Sequence, residues 1–160
     1  MAVAGIIAAA VGVMLLIVVA YVVVGATMTT AETVTSAQKD VTLQNEMRLG
    51  TALVISDPTH NTSNITANIT NTGTEIIQDF NHMDVLVYDT GSGEYQICTY
   101  DARDPGTPGT WYISSRYQDF IHPSELDPGE KYQVQVATRG SSPYWFQITT
   151  GNGVYASAYV

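Results

Sequence analysis

No charged side chain occurs before Glu32, and over residues 2–28 the chain reads AVAGIIAAAVGVMLLIVVAYVVVGATM. Wound into a helix, about 25 of these residues would extend about 38 Å, more than the roughly 30 Å of a bilayer's hydrocarbon core. A helix that is apolar all round has no stable place in water, so this segment belongs in lipid or inside a bundle of its own kind. A cleaved secretory signal is the rival reading, because Val24 and Ala26 would suit the small-residue positions before a cleavage site. The run is longer than the apolar core of such signals, which is roughly 7–15 residues, and no Lys or Arg precedes it, so a retained helix is expected. Only Lys39 and Arg48 follow the segment before residue 51, too few for the excess of basic residues on one flank to set an orientation.

Nothing in residues 27–50 stops that helix. The stretch TMTTAETVTSAQKDVTLQNEMRLG has no Pro or turn cluster. It keeps Met28, Ala31, Val34 and Ala37, then Val41, Leu43 and Met47, at loosely helical spacing, and Gly50 reads as its C-cap. The whole helix then approaches about 50 residues and about 75 Å, twice what a single span requires. Gly5, Ala8, Ala9 and Gly12 share one face, a strip of small side chains of the kind that lets helices approach closely in lipid or in a dry bundle. The surplus length is a stalk, suited to hold a domain clear of a membrane or to line a filament core.

From Thr51 onward the period changes to two, with short apolar runs separated by Gly, Pro, Asn and Asp. Strands are expected over residues 52–56, 64–70, 83–88, 95–100, 110–114, 131–138, 145–149 and 154–160. Turn chemistry sits between them at Asn71-Thr-Gly73, Thr90-Gly-Ser-Gly93, Asp104-Pro-Gly106, Asp127-Pro-Gly129 and Gly151-Asn-Gly153. The expected class is α+β: a long hydrophobic α-helix and stalk over residues 1–50, then an all-β immunoglobulin-like sandwich over residues 51–160. Cys98 is the only cysteine, so no intrachain disulfide staples the sandwich, and it reads as a buried thiol. Of ten Tyr and two Trp, half or more are expected in the core, leaving the remainder for protein contacts.

The side chains that carry chemistry point away from catalysis. Fifteen acidic residues against six basic ones give a net charge of −9, which leaves no basic face for phosphates and excludes nucleic acid as a partner. His60, His82 and His122 fall in separate loops or strand edges, without the spacing of a metal site, and no nucleophile elbow or phosphate-binding loop occurs. Asp101 and Asp104 beside Gly106 read as a turn and not as a cation loop. No catalytic residue, metal or cofactor is expected. Three N-x-S/T sequons cluster at Asn61, Asn64 and Asn68. In a strand Asn64, Thr66, Asn68 and Thr70 share one face while Ile65, Ala67 and Ile69 take the other, so the asparagines face solvent and are candidate N-glycosylation sites.

An apolar helix running into a polar stalk and then a Thr/Asn-rich sandwich resembles archaeal type IV pilin-like proteins, the archaellins and the accessory archaellum proteins F and G. The closest likeness runs from Gln44 through Tyr88, where RLGTALVIS leads into ITANITNTGTEII and MDVLVYD; the late LDPGE and the closing TTGNGVYASAYV are similar to the same group. The resemblance implies an extracellular filament or its anchor. Archaellins polymerise through their N-terminal helices, whereas the F and G proteins are envelope-side components that contact the S-layer and hold the motor. The surplus helix length and small-residue face put first a filament subunit that self-assembles through its helix, inserted in the membrane before assembly. The alternative is a single-pass accessory protein of the archaellum stator, whose sandwich meets the S-layer. A tethered solute-binding or enzymatic domain ranks third.

Overall fold

The computed structural model describes every residue except Met1, Thr62, Asp104, Pro105, Gln118, Phe120 and Ser141, and for Ala2 the backbone alone. The expected Asp104-Pro-Gly106 turn therefore has its first two residues outside the described ones. The chain divides into two compact units, Met1–Leu43 and Gln44–Val160. The last two turns of the helix thus group with the β-domain, seven residues earlier than the change of pattern at residue 51 suggests.

Helix α1 covers Ala2–Gly50 without interruption. From Val3 to Leu49 its side chains are exposed. Threonine, a weak helix former, is frequent in its second half, and its hydroxyls turn back onto the preceding turn of backbone. Thr29, Thr30, Thr33, Thr35 and Thr42 donate to the carbonyls four residues earlier, those of Gly25, Ala26, Thr29, Ala31 and Gln38, at 2.8–3.1 Å. Each hydroxyl is satisfied within the helix, so the Thr-rich stretch presents methyl groups outward.

Among the described residues eight strands follow: β1 Leu53–Asn61, β2 Asn64–Asn71, β3 Asp84–Asp89, β4 Glu94–Tyr100, β5 Thr110–Tyr117, β6 Lys131–Ala137, β7 Pro143–Thr149 and β8 Tyr155–Tyr159. They form one ladder in the order β1-β2-β6-β5-β4-β3-β7-β8. Every pairing is antiparallel except β4 with β5, which is parallel and joined at two positions only, Thr99 with Thr110 and Tyr100 with Trp111. That short seam divides the ladder into two halves, β1-β2-β6-β5 and β4-β3-β7-β8. With the strands lettered in chain order and β4 as C′, these are A-B-E-D and C′-C-F-G, the strand order of an immunoglobulin-like sandwich. Pro58, which cannot donate to a ladder, lies in edge strand β1 where the register shifts between Ser56 and Thr59, and Asp57 beside it takes the left-handed backbone conformation.

The core lies between the halves. Ile65 and Ile69 of β2, Tyr132, Val134 and Val136 of β6 and Trp111 of β5 meet Val85 and Val87 of β3, Cys98 of β4, and Phe146 and Ile148 of β7, all essentially without solvent contact. The Trp111 indole N–H donates to the Met83 carbonyl at 3.2 Å and ties one half to the other. Phe80, on a 3-10 turn over Phe80–His82, caps this end with its ring against Tyr100, Trp111 and Tyr132. Far fewer aromatics than expected are interior. Trp111 and Tyr132 are buried and Tyr100 packs on the core, whereas Tyr95, Tyr117, Tyr144, Tyr155 and Tyr159 are exposed. Most core positions around Trp111, Tyr132, Phe146 and Phe80 are taken by β-branched and aliphatic side chains, which suit the closely stacked inner faces, so the remaining amphipathic rings go outward.

Candidate interaction surfaces

Three surfaces are available for recognition: the apolar helix and the two outer faces of the sandwich. On α1, Gly5, Ala8, Ala9 and Gly12 are all exposed, and a β-carbon placed on Gly5 or Gly12 would meet nothing within 4 Å. The helix is long and apolar enough to cross a membrane by length and composition.

The outer face of β1-β2-β6-β5 is polar. The alternation expected in β2 is present: Ile65, Ala67 and Ile69 are buried, while Asn64, Thr66, Asn68 and Thr70 lie partly exposed on the other side. They are flanked by Gln133 and Gln135 of β6. Across the same face the Tyr112 hydroxyl meets the Gln135 Oε1 at 2.6 Å and the Ser114 hydroxyl donates to the Gln133 carbonyl at 3.1 Å. The three sequon asparagines are not equivalent. Asn61 is exposed at the tip of the β1–β2 hairpin, opposite Asn64, whereas the Asn68 side-chain amide donates to Asp57 at 3.1 Å, and its Oδ1 is buried without a partner.

The outer face of β4-β3-β7-β8 is aromatic. Register places Tyr95 opposite Tyr88, Tyr88 opposite Trp145, and Trp145 opposite Tyr159, a continuous row across four strands. A bulge in β7 between the pairs Tyr88/Trp145 and Asp89/Pro143 inserts Tyr144 beside them. Tyr88 and Tyr95 have ring centroids 4.8 Å apart, and Tyr144 and Tyr159 5.3 Å apart. These five rings line a shallow trough of about 260 Å³. A second, larger depression of about 640 Å³ at the opposite end of the domain is lined by Met47, Arg48, Ile76, His82 and Asn152 among others.

The loops between strands are held by buried polar anchors that the sequence did not distinguish from ordinary turn residues. Asn71, fully buried, donates through its side-chain amide to the carbonyls of Glu75 at 2.7 Å and Leu126 at 2.9 Å, and its Oδ1 accepts from the Gly73 N–H at 2.9 Å. Asp89 accepts from the backbone N–H groups of Ser92 and Ser142, both at 2.9 Å, and these bonds hold its carboxyl below the usual range. The His122 Nδ1 lies 2.8 Å from the nearly buried Asp127 carboxylate, whose other oxygen accepts from the His122 backbone N–H; the hydrogen bond and charge of Asp127 push the imidazole pKa up. Burial pushes the Cys98 thiol up to about 11. His82 pairs with Asp79, and among the described residues no three His, Cys, Asp or Glu side chains converge as a metal site would require.

No protein-family model and no curated protein matches the chain. Among solved structures, FlaG, the archaellum periplasmic stator protein from Sulfolobus acidocaldarius, matches with a TM-score of 0.53 at 22% identity, over 69% of this chain and 99% of its own. The β-domain is similar in fold to FlaG. The FlaF–FlaG stator complex from the same organism also matches, with a TM-score of 0.48 at 22% identity over 68% of this chain and 87% of that one. The likeness to archaellum accessory proteins that RLGTALVIS, ITANITNTGTEII and MDVLVYD carry in sequence is thus met at the level of fold.

Proposed function

We propose that this protein is a static, non-enzymatic component of an archaellum-bearing cell envelope, with α1 as its membrane anchor and the sandwich outside the cytoplasm as part of a stator. The observation that carries this reading is the fold likeness to a protein described as an archaellum periplasmic stator, along nearly that protein's whole length. The uncharged run up to Glu32 supports the anchor, because an exposed helix of this composition is stable only in lipid or in a bundle. The surplus length favoured a filament subunit; the sandwich's likeness favours the alternative, in which residues 32–50 carry the domain away from the bilayer. The partners on this reading are other archaellum envelope components and the S-layer. Asn61, exposed at the hairpin tip, is then the first candidate for a glycan, followed by the partly exposed Asn64 and Asn68.

Fractionation tests the reading. Mass spectrometry of purified filaments and of the membranes left behind should find this chain with the membranes, in amounts far below the filament subunit. Recovery as a major component of the filaments would overturn the anchor reading and restore the filament subunit.

A further inference from the structure

The aromatic trough has the parts of a cation receptor. Trp145 lies between Tyr88 and Tyr159 in register and forms the floor, while the pair Tyr88 and Tyr95 and the pair Tyr144 and Tyr159 stand on either side. Ring faces carry the negative end of the aromatic quadrupole, and indole is the strongest cation acceptor of the three aromatic types. The rim is open to solvent: Tyr95 and Tyr159 are each 67% exposed and Tyr144 is 51% exposed. Along β4, β3, β7 and β8 the outward positions are Tyr95, Ile97 and Thr99, then Asp84, Leu86 and Tyr88, then Trp145, Gln147 and Thr149, then Tyr155, Ser157 and Tyr159. None is basic and one is acidic, in a chain of net charge −9. At this end of the sheet Asp89 and Glu94 pair across β3 and β4, and Arg139 of the adjoining β6–β7 loop is the basic residue set against them, so the charge balance around the trough favours a cation over an anion.

We propose that this trough is an aromatic cage that takes a cationic side chain, a Lys ammonium or an Arg guanidinium, from a segment of a partner protein. The trough lies at the end of the domain away from Gly50. Strands β3 and β7 place Tyr88 and Trp145 near their Asp89 and Pro143 ends, whereas α1 enters the sandwich beside the start of β1 and the β7–β8 turn, where the Asn152 amide donates to the Thr51 hydroxyl at 2.7 Å. A partner thus reaches the cage without meeting the helix end. The inference concerns the sandwich alone and holds whether or not α1 is an anchor.

The probe is choline, set against 3,3-dimethylbutan-1-ol, its uncharged isostere, titrated into the full chain in neutral detergent at constant ionic strength with tryptophan emission as the readout. Choline should bind saturably and about tenfold tighter than the alcohol. Because Trp145→Leu also removes the reporting indole, its binding is read by titration calorimetry and should be abolished, with emission from buried Trp111 reporting that the fold is intact, and Tyr159→Leu, at the exposed edge, should weaken the emission response. Equal affinity for choline and the alcohol would make the trough a plain apolar patch, and binding of maltotriose in place of choline would make it a saccharide platform. Either result, or no binding of choline at all, overturns the proposal.

Discussion

Asn71 illustrates how a single polar side chain sets the cost of a loop. Its amide and carbonyl satisfy Glu75, Gly73 and Leu126, the last 55 positions away in sequence, in a site with no access to water. Asn71→Ala takes this partner from the Gly73 N–H and the Glu75 carbonyl and leaves the Leu126 carbonyl with the Ile77 N–H, and chemical denaturation should show a loss of about 2–4 kcal/mol. Two ionisable anchors add opposite pH dependences. His122 has a folded pKa raised above its ordinary 6.5, so its ionic contribution is complete below that value and is lost as pH rises through the folded one. The gap in melting temperature between the native chain and His122→Gln should therefore narrow from pH 5 to pH 9. Asp89 has a folded pKa below its ordinary 3.8, so its contribution is present above that value and fades as pH falls through the folded one; the cost of Asp89→Asn should shrink on acidification. None of the three could be ranked from sequence. Asn71-Thr-Gly73 and Asp127-Pro-Gly129 read as turns, and turn residues acquire burial only from strands that arrive later in the chain.

The elements were far more legible. Period-two alternation located the eight described strands because most have a more buried and a more solvated face; β1, expected over residues 52–56, continues through a bulge at Pro58 to Asn61, and β5, expected over residues 110–114, runs on to Tyr117. The uncharged run gave the first part of α1, and the loosely helical spacing with no Pro or turn cluster over residues 27–50 gave the rest. What the pattern could not reveal was which aromatics face out, since Tyr fits either face of a pleat and the register that aligns Tyr95, Tyr88, Trp145 and Tyr159 joins strands distant in sequence. The junction after α1 depends on a glycine for close approach: a β-carbon on Gly73 would stand 2.2 Å from the Gly50 carbonyl oxygen and 2.6 Å from the Ala52 nitrogen. Gly73→Ala should cost about 3 kcal/mol in thermal or denaturant unfolding, as overpacking against backbone does. In α1, Leu16→Arg places a charge mid-span and should cost roughly 3 kcal/mol of insertion, seen as loss of chain from floated membranes. Ala9→Phe should leave an anchor in the membrane fraction, whereas a close-packed filament core would not assemble with it.

At the scale of the molecule, the helix and the sandwich answer to different solvents. Burial explains the sandwich, whose aliphatic layer is closed between two half-sheets; α1 has no such layer and takes its stability from what surrounds it. Cys98, buried and with its thiol pushed up to about 11, gives a clean background for chemistry at an added cysteine. Ser157 is exposed on the outward side of β8. In cells carrying Ser157→Cys and stripped of their filaments by shearing, the anchor account predicts that the chain stays with the cell bodies and reacts there with a membrane-impermeant maleimide. A chain that leaves with the sheared filaments, or that reacts only after lysis, would contradict it.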